Sequence, residues 1–213
     1  MAGHTTAEEI EKEFASKMGG DLGRIFYALY KEVVWVHAKW QEYRKLFGTD
    51  SERIALLNRT ASFFFNIVQD GIWEDVLLHI SRLTDPPRSV GRDNLTIKLL
   101  PSLIQDNALR TEVEKLVAVC VERAEFAREH RNRRLAHRDL LHATEPPAAP
   151  FSGISRAHIE QMLLALRNLM NRLDGHFRDT TVAYERFITS NGAENLLSAL
   201  QRAEGTHGRK NAL

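Results

Sequence analysis

The 213-residue chain has a single cysteine, Cys120. No intrachain disulfide can form, which fits a reducing compartment. Cys120 lies in the apolar run Leu116 to Val121, where a free thiol behaves as a small buried hydrophobe rather than a nucleophile. No stretch approaches the roughly 18 consecutive apolar residues that a membrane span needs. The segment before Gly20 carries Glu8, Glu9, Glu11 and Glu13 and has no apolar core, so it does not read as a secretory signal. The expected location is the cytoplasm, with no membrane partner. Charge of one sign is also lacking: 29 Lys and Arg face 28 Asp and Glu, a net +1. A chain-wide basic surface is excluded, so any polyanion must be attracted by a local patch. Apolar–polar alternation is nowhere sustained, and no strand is predicted. There is no internal repeat.

What is present is helical periodicity. The hydrophobic fraction is 43% and the charged fraction 27%, enough for a buried core. Leu22, Phe26, Leu29, Val33, Val36, Trp40, Tyr43 and Phe47 step by alternating fours and threes. That places them on one stripe, with the spacing of a helix packed along a partner helix. Thr49-Asp50-Ser51-Glu52 reads as a capping box. It opens a helix to Leu83 with an inner stripe of Ile54, Leu57, Ala61, Phe64, Val68, Ile72, Val76 and Leu83. Gly71 is its candidate kink, Phe63-Phe64-Phe65 belongs to the core, and Pro86-Pro87 stops it. Arg88 to Asn94 is a loop, and Asn94 caps a short helix reaching Gln105.

The next helix runs from about Ala108, with Leu109, Val113, Leu116, Cys120, Ala124 and Ala127 inward. Four residues further, the same stripe reaches Arg131, a charge in an apolar place. The proline-rich segment between His142 and Ser155 is a long loop. Ser155 caps a long helix whose stripe runs from Ile159 to Tyr184 and Phe187. Asn191-Gly192 ends it, and a short helix over Ala193 to Ala203 follows. The expected fold is all-α, a bundle of four to five main helices. The expected organisation is a polar lead-in over 1–20, one helical domain over 21–203 and a polar tail over 204–213.

Residues 123–142 hold six arginines, three histidines and three acidic residues. Within them, Arg131-Asn132-Arg133-Arg134-Leu135-Ala136-His137 places a histidine after five residues that follow an arginine. This resembles the Arg-x(4–6)-His motif of HEPN domains, helical proteins widespread in RNA cleavage, toxin–antitoxin systems and phage defence. Together with Ala136-His137-Arg138-Asp139, it looks most like the abortive-infection branch labelled AbiU-type. Ile72-Trp73-Glu74-Asp75-Val76-Leu77-Leu78-His79-Ile80-Ser81-Arg82-Leu83-Thr84-Asp85-Pro86 is similar to the preceding helix of that branch. The commonest spacing has four intervening residues, which leaves Arg133 and Arg134 as nearby substitutes for Arg131.

The resemblance implies a HEPN-like bundle and metal-independent RNA cleavage, with Arg131, His137 and Asn132 catalytic. It also implies a two-fold dimer, no cofactor and, for a toxin, a protein antitoxin. Arg128, Arg133, Arg134 and Arg138 are the candidate RNA-binding residues. The chemistry suits these residue types. A histidine titrating near neutrality serves as base or acid. An arginine offers a planar, permanently charged fork to phosphate oxygens. Asn132 can orient either. On an ideal helix, six residues turn the chain by about 600°, leaving Arg131 and His137 about 120° apart. The segment must bend near Leu135, or two chains must share the site. The alternative expectation is a non-catalytic helical dimer that binds RNA or a protein.

Other readings are weaker. His137-Arg138-Asp139-Leu140 imitates a kinase catalytic loop, but position 144 is Thr and there is no glycine-rich loop. His130, His137 and His142 are spaced by seven and five, which fits no single helical face, so no metal site is expected. His130 and His142 read as surface residues. Arg82 and Asp85 read as a structural ion pair or, as the alternative, as residues lining the cleft.

Overall fold

A computed structural model describes residues 6–48, 50–132, 154–186 and 191–210. The polar lead-in is a helix, α1 (Ala7–Met18). Thr6 opens it with a reciprocal capping box: its hydroxyl accepts from the Glu9 N–H, and the Glu9 carboxylate accepts from the Thr6 N–H at 2.7 Å. Phe14 and Met18 are buried. Gly19 ends the helix at φ +87°, and α2 (Gly20–Phe47) begins at once. A Cβ on Gly23 would lie 2.3 Å from the Phe14 carbonyl oxygen, so the close return of α1 over α2 requires glycine there.

All eight stripe residues of α2 are buried. Asp50 opens α3 (Ser51–Leu83) by accepting from the N–H groups of Glu52 and Arg53; Thr49 lies outside the described residues. The expected kink at Gly71 is absent. The interruption is at Ala61 (φ −163°, ψ 69°). Of the predicted stripe, Leu57, Val76 and Leu83 are buried, Ile54, Ala61, Val68 and Ile72 are half-buried, and Phe64 is displaced. Phe65, Trp73, Val76, Ile80 and Leu83 turn inward, while Phe64 is 58% exposed and Phe63 79%. Of the three phenylalanines assigned to the core, only Phe65 is there.

Arg88–Ser89 (β1) and Arg92–Asp93 (β2) pair antiparallel, Arg88 opposite Asp93, across a turn in which Val90 and Gly91 have positive φ. Two-residue strands are too short to leave an alternation in sequence. Thr96, rather than Asn94, caps the 3₁₀ turn Ile97–Leu99, which leads into α4 (Leu100–Leu103). Asp106 caps α5 (Asn107–Arg123) through two backbone N–H groups. A break at Ala124 separates it from α6 (Glu125–His130).

Ser155 caps α7 (Arg156–Arg178), which stops well before Tyr184, contrary to the predicted length. Asp179 takes the left-handed conformation at φ +50°. The Asn171 side chain then bonds both the N–H and the carbonyl of Val182, satisfying backbone that has left the helix. Tyr184 is still buried, but from a turn; Phe187 lies outside the described residues. The last helix, α8 (Ala193–Lys210), runs past Ala203.

Among the described residues the fold is eight α-helices and one minimal hairpin, an all-α architecture. None of the helices is long and apolar enough to cross a membrane. Two compact units can be distinguished. The first comprises the described residues up to Trp35 and those from Leu77 to Tyr184. In it, α5 packs along α7, helped by an Arg172–Glu112 ion pair at 2.7 Å, and α1 packs on α7. The second comprises the described residues from Val36 to Val76 and from Glu185 onward. In it, Trp40, Tyr43 and Trp73 form an aromatic cluster, Lys39 pairs with Asp75, and Arg59 pairs with Glu204 of α8 at 3.0 Å.

Candidate active site

The first unit brings the end of α3 to the end of α6. Thr84 is fully buried, and its hydroxyl faces the Ile80 and Ser81 carbonyls. Its oxygen also accepts from Arg128 Nη1 at 2.9 Å. Arg128 is held further by the Val121 carbonyl and the Glu125 carboxylate. One turn on, Arg131 meets Asp85, the last residue before the proline pair. Arg131 Nη1 donates to both carboxylate oxygens, at 2.7 and 2.8 Å. Its Nε lies 3.3 Å from Asn132 Oδ1. Among the described residues Nη2 makes no hydrogen bond.

This arrangement grows from the apolar face of α5 and α6. Leu109, Val113, Cys120, Ala124 and Ala127 are buried as expected; Leu116 is half-buried, and Val117 takes the inward place. The stripe therefore carries Arg131 toward the core edge. A long guanidinium stem can be half-buried there with its head at solvent. The Arg131 and Asp85 side chains keep 26% and 20% of their exposure. The backbone widens to π-helical geometry at Arg131 and Asn132, a departure often found at functional positions.

The expected Arg82–Asp85 pair is not formed. Arg82 Nη2 lies 3.9 Å from Glu32, which also stands 2.9 Å from His79 Nε2. His79 is buried. Asp85 is taken by Arg131 instead, because the α3 terminus turns its carboxylate toward α6 rather than back along its own helix. His130, expected at the surface, is half-buried. Cys120 is fully buried, and desolvation pushes its thiol up to about 12, which leaves it without a thiolate at neutral pH. His137, Arg133, Arg134, Arg138 and His142 lie outside the described residues. Among the described residues no group of three His, Cys, Asp or Glu side chains is placed to hold a metal ion.

Sequence reasoning missed two members of the site. Thr84 looks like an ordinary helix-end residue, yet it anchors Arg128. Lys98 lies in the 3₁₀ turn, and burial, followed by the Arg128 charge, holds its ammonium below the usual lysine range. No spacing rule links these segments; the available signal was the Thr84-Asp85-Pro86 ending of the second family-like stretch. Chemically, the cluster is a partly open cationic edge whose central guanidinium is oriented by a carboxylate. It suits an oxyanion such as a phosphodiester.

Comparison with known families matches the chain to HEPN_AbiU2, described as AbiU2, over residues 20–196. No curated protein and no solved structure matches it.

Proposed function

The chain belongs to the HEPN_AbiU2 family, and from that premise we propose that it is a metal-independent endoribonuclease of a phage-defence or toxin–antitoxin system. The observation that carries this reading is the Arg131 head group. Asp85 fixes it through Nη1, and the side chain keeps 26% of its exposure. Among the described residues Nη2 has no hydrogen-bond partner, so Nη2 is the nitrogen proposed to take a phosphate oxygen. A guanidinium held before substrate arrives stabilises developing phosphorane charge without reorganising.

In the proposed reaction, His137 acts as general base or acid. One imidazole takes the proton from the 2′-hydroxyl. The O2′–P bond forms as the P–O5′ bond breaks. An imidazolium returns a proton to O5′, giving a 2′,3′-cyclic phosphate and a 5′-hydroxyl. A two-fold dimer supplies both histidines from equivalent positions. Asn132 positions Arg131, and Arg128, Arg133, Arg134 and Arg138 bind flanking phosphates. The proposed setting is the cytoplasm, with a protein antitoxin as a further partner.

A second reading is favoured by one observation. Both Asp85 oxygens are already occupied by Arg131, as in a structural ion pair. A non-catalytic helical dimer that binds RNA or a protein would need nothing more. Incubating purified protein with mixed RNA in EDTA separates the two. Arg131→Ala and His137→Ala are each expected to lose about 10²–10³-fold in cleavage with the oligomeric state retained. Equal RNA turnover by wild type and both variants would refute the nuclease reading.

A further inference from the structure

We propose that Lys98 is a further phosphate-binding residue of this site, contacting the RNA backbone beside Arg128 and Arg131. The proposal rests on the ribonuclease reading and adds a residue from an element outside the motif. The Thr96 hydroxyl donates to the Leu83 carbonyl at 3.0 Å. That bond clasps the 3₁₀ turn to the end of α3. Lys98 lies just beyond one side of the clasp and Asp85 just beyond the other. The turn that carries Lys98 is thus held at the α3 terminus whose Thr84 and Asp85 meet Arg128 and Arg131.

Charge balance identifies Lys98 as the surplus member. Among the described residues the cluster holds two paired carboxylates, Asp85 and Glu125. Arg131 occupies both oxygens of Asp85, and Arg128 is paired with Glu125. Among the described residues the Lys98 ammonium closes no ion pair. Burial, followed by the Arg128 charge, holds that ammonium below the usual lysine range, against the pull of Asp85 and Glu125. A phosphate would supply the missing negative charge and relieve the repulsion between the two cations. Lysine presents a compact charge on a flexible stem, so it suits a backbone oxygen rather than a base edge. Its contribution should be independent of RNA sequence.

The test uses the full-length protein and a labelled single-stranded oligoribonucleotide with every 2′-hydroxyl methylated, which cannot be cleaved by 2′-oxygen attack. Binding is titrated across a range of salt concentrations. Lys98→Gln is expected to reduce the steepness of log K against log salt by about 0.7, the share of one phosphate on a single strand. That corresponds to about fivefold weaker binding at 0.1 M salt. Lys98→Arg is expected to restore both, and the melting temperature should not move. A Lys98→Gln protein with wild-type slope and affinity overturns the proposal. A Lys98-dependent slope in a wild type that cuts no unmodified RNA supports the contact and sinks the nuclease. A wild type that binds no oligonucleotide defeats both.

Discussion

Asp174 and Arg178 stand one turn apart on α7, whereas Asp85 and Arg131 are 46 residues apart on different elements. The chemical pair is the same, and the surroundings differ. Asp174 has no exposure. Arg178 gives Nη1 to Asp174 at 2.8 Å, reaches Glu13 at 3.4 Å with Nη2, and lies 3.8 Å from the Phe14 ring centroid. It fastens α1 to α7 and offers little to a ligand. Desolvation raises the Asp174 pKa even beside Arg178, and the Asp174 charge helps raise those of Tyr30 and Tyr184. Arg131 and Asp85 keep a quarter to a fifth of their exposure. An ion pair becomes structural when every neighbour is protein. It becomes a candidate site when one side is left to solvent.

The sharpest way to break this comparison is to remove each arginine. Arg178→Ala strands a carboxylate in the core and should cost about 3–5 kcal/mol of unfolding free energy. Arg131→Ala opens a partly solvated pair and should cost less than about 1 kcal/mol. Urea denaturation reads both, and the reverse order would abolish the distinction. A smaller effect is expected from Asp85→Asn, which keeps an acceptor for Arg131 but removes the charge that orients it. RNA cleavage should fall roughly tenfold, the worth of about 1.4 kcal/mol in a charge-assisted hydrogen bond. Unchanged cleavage would make Asp85 a spectator.

The smallest effect is a pH dependence. The Asp174 carboxyl binds its proton more tightly in the folded state than in the unfolded chain, where 3.8 is the ordinary value. Its contribution therefore favours folding at low pH. It is lost as pH rises from that value through the raised one, and is level above. Glu9, Asp106, Glu112 and Glu204 shift in the opposite direction, so the reading is a difference. Stability of the wild type minus that of Asp174→Asn should decline across this window. A flat difference would show that Asp174 is not desolvated.

Much of the fold was legible where one helix controls its own face. The α2 stripe and the Ser155 cap each follow from neighbours a few residues away. α3 was half legible: its ends and the stripe members Leu57, Val76 and Leu83 were correct, but the stretch around Ala61 was not. Ala61 carries no breaker residue type, and its departure from helix sends Phe64 outward and Phe65 inward. The overlong reading of α7 has the same origin. Apolar spacing continues toward Tyr184, while Asp179 and the Asn171–Val182 bonds take the chain out of the helix. In the site, Arg131 was visible as a charge on an apolar stripe, and Asn132 as its neighbour. Asp85 was visible as a charged residue, though with the wrong partner. Lys98 and Thr84 were invisible as site members, because they gain meaning only by proximity.

Sequence alone determined the all-α class, most helix starts and the arginine that ends the α5–α6 stripe, since each depends on periodicity or on a cap within one turn. Tertiary packing decided which carboxylate meets that arginine, which phenylalanine enters the core and which lysine completes the cationic edge. Those choices depend on groups far apart in the chain, and their energy is defined only once burial has removed water from one side of each pair.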